Sequence, residues 1–261
     1  MPTTPSLELV PHGIDTYVGS SPDYPWGRIY GGLVVAQALA AATVTVADEH
    51  HVHSLHAYFI LGGSPAQPVR YEVDRIRNGR SFSTRRVVAR QSSGAILNLS
   101  ASFQRLEDGP VVQGVEAPPA PPPGDVPASQ WEAGFDYREV VPPPEPGRSL
   151  AWARYTAPLA DDARAHAEAL AYLSDANPMD AIFGRHPVDV GHDEWHDTFV
   201  SASLDHAVWF HRPVRADDWL LFDMRSPFVG GSRGVARGEV FQGGELVATI
   251  AQEGLLRLRD R

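Results

Sequence analysis

The chain has 261 residues, 43% hydrophobic and 21% charged, the make-up of a globular protein large enough for one large or two small domains. It has no Cys, which removes disulfides, thiolate nucleophiles and zinc–thiolate sites; all 22 basic residues are Arg, and a net charge of −10 argues against a general nucleic-acid binder. The first ten residues lack the basic and apolar segments of a signal peptide, residues 31–47 are too short and too polar to span a bilayer, and the C-terminus carries no peroxisomal address. The expectation is a cytoplasmic protein without membrane insertion.

Residues 30–47, YGGLVVAQALAAATVTVA, are apolar almost all the way round, which predicts a buried helix. Gly31 and Gly32 at its start either offer unpaired N–H groups to an anion or let the helix pack closely on a sheet. Strand-like runs follow at 52–61, 69–76, 82–90 and 95–103, with Gly, Ser and Asn turns between them. An apolar helix followed by consecutive antiparallel strands predicts a sheet curled around that helix, in a first domain spanning 1–106. From 107 to 148 two proline clusters exclude helix and central strand, which predicts an extended connector docked by Trp131, Phe135 and Tyr137. The second half, 149–261, repeats the order: a strand at 150–157, a helix within 161–183, and strands at 199–211, 219–226, 232–241 and 246–258. An offset of 150 residues aligns His56 with His206, Ala57 with Ala207, Gly94 with Gly244, Ala101 with Ala251 and Leu106 with Leu256, pointing to an internal duplication.

The second helix, with Asp161 or Asp162 as its N-cap and Pro178 limiting its extent, carries Asp175 near its C-terminal end, where the helix dipole disfavours an acid. Asp175 is either part of an Asp-Ala-Asn-Pro helix exit, bonding local backbone, or a general base whose pKa is raised by apolar walls. Gln252 falls in the strand row of Leu246, Ala248, Ile250, Leu256 and Leu258, and an amide in an apolar row must find a partner. Ser203 shares its row with Phe199, Ser201, Asp205 and Trp209, a mixed pattern that does not single it out.

Gly230-Gly231-Ser232-Arg233-Gly234 has the spacing of a nucleophile elbow, but a strand rather than a helix follows it, and no His occurs after His211. His50, His51, His53 and His56, and again His186, His192 and His196, form loose clusters without a recurring ligand spacing; strand-edge and loop positions explain them better than a metal. Arg75, Arg77, Arg80, Arg85, Arg86 and Arg90 surround the Asn78-Gly79 turn, either as a phosphate-binding patch or as a solvated hairpin with surface ion pairs.

Arg28-Ile29-Tyr30-Gly31-Gly32, then His53-Ser54-Leu55-His56-Ala57-Tyr58-Phe59, then Gly79-Arg80-Ser81-Phe82-Ser83-Thr84-Arg85-Arg86-Val87 resemble the acyl-CoA thioesterase II family. Asp205-His206-Ala207-Val208-Trp209-Phe210-His211-Arg212-Pro213 and Ala251-Gln252-Glu253-Gly254 resemble its second half, so the similarity covers nearly all of the chain but the proline connector. The resemblance implies an α+β double hot-dog fold, two antiparallel sheets each wrapped around a long central helix. It also implies hydrolysis of acyl-CoA by direct water attack, without cofactor, metal or covalent intermediate. Carried over by position, the family's catalytic set falls on Asp175, Ser203 and Gln252, with Ser203 standing where Thr is common. Arg80 and Arg85 are the candidates for CoA phosphates, and a homo-oligomer is expected. Two alternatives remain: a hot-dog enoyl-CoA hydratase, which needs a His five residues after its Asp where this chain has Asp180, and a non-catalytic acyl-CoA binder.

Overall fold

The computed structural model describes residues 5–129, 134–188, 190 and 194–259. In the first half, β1 (Val10–Pro11) and β2 (Thr16–Gly19) lead into α1 (Gly31–Thr43), followed by β3 (His50–Phe59), β4 (Val69–Asn78), β5 (Phe82–Gln91) and β6 (Gly94–Arg105). In the second, β7 (Phe135–Glu139) and β8 (Arg148–Tyr155) lead into α2 (Ala163–Leu173), α3 (Pro178–Phe183) and α4 (Trp195–Thr198). β9 (Phe199–Ser203), β10 (Asp205–Phe210), β11 (Leu220–Gly230), β12 (Arg233–Gln242) and β13 (Glu245–Leu258) complete it.

The buried helix is where the apolar run predicts it. Every residue of α1 from Gly32 to Thr43 is buried, and the helix packs on β3 to β6. Burial of Leu33, Val35 and Leu39, each inaccessible to solvent, stabilises the fold by about 2 kcal/mol per side chain. The polar interruption, Gln37, is satisfied: its Nε2 donates to the Ser6 and Ser20 carbonyls and its Oε1 accepts from Tyr71.

Two separate sheets do not form. The strands join one continuous antiparallel sheet in the order β1-β2-β4-β5-β6-β3-β10-β13-β12-β11-β8-β7, with β9 also on β13, because β3 and β10 pair edge to edge and leave neither half with an open edge there. The second long helix is also broken, into α2 and α3: Pro178 has no N–H to give and its ring would clash with the carbonyl four residues back. The stretch 107–148 is not wholly a connector either, since β7 pairs with β8 and extends the sheet; Phe135 and Tyr137 are buried, while Trp131 lies outside the described residues.

The duplication is visible as topology. β2-β4-β5-β6-β3 and β8-β11-β12-β13-β10 wind identically, with α1 following β2 and α2 following β8. The register corrects the offset, however. The pair His56↔Ser100 corresponds to Ala207↔Ala251, an offset of 151 rather than 150. A slip of one residue exchanges the faces of a strand, so the identities found at 150 pair inward positions with outward ones: His206 is buried and His56 is exposed.

Candidate active site

Asp175 sits one residue beyond the C-cap of α2, in the turn that Pro178 forces before α3, rather than inside the helix. Asp162 caps the other end, accepting from the Arg164 and Ala165 amides at 2.9 and 3.0 Å. The turn presses the Asp175 carboxyl against the start of α1. A Cβ on Gly31 would lie 2.5 Å from Asp175 Oδ2 and 2.9 Å from the Phe59 ring, and one on Gly32 would run into the Tyr172 carbonyl. Close approach is therefore what the glycine pair provides, and it also brings the Gly32 backbone N–H to the carboxylate as a donor.

Ser203 ends β9. Between Ser203, opposite Gly254, and Ala207, opposite Ala251, the strand carries one residue more than its partner, so Leu204 acts as a bulge. The bulge breaks the single row expected across 199–211 and turns Ser203 to the same side as buried His206 and Val208. Ser203 Oγ then donates to Asp175 Oδ1 at 3.1 Å, and Gln252 Nε2 donates to Ser203 Oγ at 2.9 Å. Gln252 occupies the inward row of β13 with Ala248, Ile250 and Leu256, as expected; Leu246 falls off that row at a register shift, and Leu258 is exposed. The three residues named from the resemblance thus form one connected group.

Asp175 is 8% exposed, and burial pushes its carboxyl up to about 7 against the lowering effect of its bonds from Ser203, Gly32 and Gln252. It opens on a cavity of about 390 Å³ bounded by Trp26, Arg28, Phe59, Met179, Phe183 and Trp195. Ser203 lines the same cavity. Gln252, 1% exposed, lies behind Ser203 and does not line it.

Neither predicted phosphate ligand is at this site. Arg85 is corrected outright: it is 1% exposed, and its guanidinium donates to Thr45 Oγ1 (2.7 Å), the Thr45 carbonyl (2.9 Å), the Arg77 and Thr84 carbonyls (2.7 and 3.0 Å) and Asn78 Oδ1 (2.7 Å). A planar fork with five donors suits that structural task. Arg80 is exposed and does not line the cavity. Around them Arg75, Arg86 and Arg90 pair with Asp15, Asp74 and Glu72, which is the solvated-hairpin arrangement. The guanidinium that the sequence patterns passed over, Arg28, is exposed and borders the cavity.

Gly230–Gly234 is no elbow: Gly231 and Ser232, both with φ of 59°, make the tight turn between β11 and β12. His53 Nε2 bonds Ser102 Oγ at 2.8 Å, and His51 and His53 line a second cavity of about 230 Å³. Among the described residues no three His, Asp or Glu come together as metal ligands; His192 and the side chain of His196 lie outside them.

The two halves match the descriptions "Acyl-CoA thioesterase N-terminal domain" over residues 20–104 and "Acyl-CoA thioesterase C-terminal domain" over 114–256. The chain belongs to the acyl-CoA thioesterase II family. Acyl-coenzyme A thioesterase 8 of Mus musculus is 36% identical, over 99% of this chain and 89% of its own. The crystal structure of an acyl-CoA thioesterase II, TesB2 from Mycobacterium marinum, superposes with a TM-score of 0.83 at 41% identity, covering 97% of each chain. A protein of Alicyclobacillus acidocaldarius described as having a hot dog fold superposes at 0.78 with 22% identity, which shows the fold alone. Within the family fold, the buried carboxylate, its hydroxyl donor and the amide behind them all belong to the C-terminal half.

Proposed function

We propose that this protein hydrolyses acyl-CoA thioesters to a free acid and CoA by direct attack of a water molecule that Asp175 deprotonates. The observation that carries the reading is Asp175 and Ser203, joined with Gln252 behind them, at the wall of a mostly apolar cavity that Arg28, Glu139 and Asp180 also line. A carboxyl poised near 7 exists in useful amounts as the base at neutral pH and is basic enough to take a proton from water. Asp175 and Ser203, which face the cavity, hold the water; Gln252 holds Ser203 and the carboxylate from behind. A thioester has a good leaving group, so activating water and stabilising the oxyanion suffice. The N-terminus of α1, bordering the cavity at Gly31, supplies the positive backbone potential for that oxyanion.

The same reading keeps two fused hot-dog units, one per half, as the origin of the continuous sheet. It assigns CoA phosphate contact to Arg28 in place of Arg85, and leaves Arg80 as a more distant candidate. Copies associate into a homo-oligomer in the cytoplasm, which light scattering of the purified protein tests. For the function itself the test is thiol release from a panel of acyl-CoAs running from acetyl to palmitoyl. Turnover of some member of the panel is expected; tight binding without thiol release would make the protein an acyl-CoA binder instead.

A further inference from the structure

Behind Gln252, on the side away from Asp175, the polar chain continues into the core. His206 Nδ1 lies 2.6 Å from Gln252 Oε1, and His206 Nε2 lies 2.7 Å from Ser174 Oγ, the residue that immediately precedes Asp175. His206 is 1% exposed and Ser174 is inaccessible to solvent. We propose that His206, backed by Ser174, is a positioning residue that fixes which end of the Gln252 carboxamide faces Ser203 and Asp175.

Proton counting carries the argument. Ser203 has one hydroxyl proton, and an ionised Asp175 accepts it. Ser203 Oγ must therefore accept from Gln252, so the amide presents Nε2 to Ser203 and turns Oε1 inward. A buried carbonyl oxygen needs a donor, and His206 Nδ1–H is that donor. Burial holds the imidazole neutral down to about 4, so Nε2 is left as an acceptor. Ser174 Oγ donates to the Ala171 carbonyl at 2.8 Å and lies 2.7 Å from His206 Nε2, so in this tautomer its one proton is shared between those two acceptors. Every proton in the chain His206–Gln252–Ser203 then points toward the carboxylate. Reversing the amide would set Gln252 Oε1 against an oxygen that has already given its proton to Asp175.

The molecule contains its own control. At the offset of 151, Ser203, His206 and Gln252 correspond to Val52, Leu55 and Ala101; the helix C-caps equate Ser174 with Val44 and so Asp175 with Thr45. Where the carboxylate is absent, the hydroxyls, the imidazole and the amide are absent with it. A histidine that served only to fill the core would have no reason to follow the carboxylate.

This inference rests on the catalytic reading given above, and the experiment separates the two. His206→Leu, His206→Asn, Gln252→Ala and the double variant His206→Leu/Gln252→Ala are compared for kcat, KM and melting temperature. Asn places an N–H where Nδ1–H was, whereas Leu offers none. His206→Leu is expected to lower kcat on the order of 10²-fold, the scale of a misplaced catalytic group, with KM within a few-fold. His206→Asn should recover most of the loss, and His206→Leu should cost nothing further in the Gln252→Ala background. Independent, multiplying effects, or an undiminished kcat in His206→Leu beside a crippled Gln252→Ala, would overturn this inference and leave the catalytic reading standing. A Gln252→Ala variant as active as the wild type would remove Gln252 from the catalytic group and this inference with it, while hydrolysis through Asp175 would still stand. If His206→Leu does not fold, His206→Phe, which also lacks the N–H, takes its place beside His206→Asn: a deep kcat loss in Phe with recovery in Asn supports the proposal, and equal kcat in the two contradicts it.

Discussion

The Ser203 hydroxyl donates to Asp175 across 28 residues of sequence, and it can do so because two local irregularities meet: the helix break that Pro178 forces and the bulge at Leu204. Neither residue lies in the middle of a regular element. The chemistry of the site is set by the burial that this junction produces.

The first consequence is a pH profile. Water activation needs the ionised carboxylate, and burial places its pKa at about 7. Log kcat/KM should rise with unit slope below that value and level off above it. A profile flat from pH 5 to 9 would remove Asp175 as the base.

The same shift makes a stability prediction of opposite sense. An acid whose pKa is raised on folding binds its proton more tightly in the native state. Its contribution is fully present below the unfolded value near 4 and is lost as pH rises through about 7. At pH 8 the wild type thus carries a buried charge costing a few kcal/mol. Asp175→Asn should melt higher than the wild type at pH 8, with the difference shrinking toward pH 4. Calorimetry at the two pH values checks it, and equal destabilisation at both would contradict the burial argument.

Gly31 leaves no room for a methyl group beside Asp175 and Phe59. Gly31→Ala should displace the carboxyl and reduce kcat by at least ten-fold, with a stability cost of about 1–3 kcal/mol from overpacking. Steady-state kinetics at saturating acyl-CoA, with a thermal melt alongside, measures both, and unchanged kcat would mean that the carboxyl position is not critical.

Arg85 and Arg28 are expected to separate cleanly. Arg85→Met removes the donors for five acceptors and should lower the melting temperature markedly while leaving KM of the folded protein unchanged. Arg28→Ala should do the reverse, raising KM for acyl-CoA more than it lowers kcat. A KM effect confined to Arg85 would restore it as a substrate ligand.

The sequence made the regular parts of this fold readable because their signals are local. The all-round apolar run of α1 and the alternation in β4, β5, β6, β12 and β13 correspond closely to the observed elements. Gln252 was conspicuous because an amide in an apolar row is anomalous. Ser203 was hidden, since a bulge at Leu204 reverses the parity on which row-reading depends, and only the family resemblance supplied it. β7 was masked by flanking prolines, and β1 and β2 are too short to show alternation. Arg85 misled for a different reason: a guanidinium in a charged cluster reads as exposed, while its burial depends on Thr45, 40 residues away and just past the end of α1. His206 stands out in the sequence only as one of a face-reversed pair of histidines. Its partner atoms sit on α2's C-cap and β13, which no local pattern brings together.

The measurement closest to the centre of this account is kcat of Asp175→Asn on the best acyl-CoA substrate, which keeps the side chain's shape and removes its basicity. A fall of about 10³-fold, within the range for a lost general base, with KM little changed, is the predicted result. Turnover within a few-fold of the wild type, by a variant shown to be folded, would contradict it.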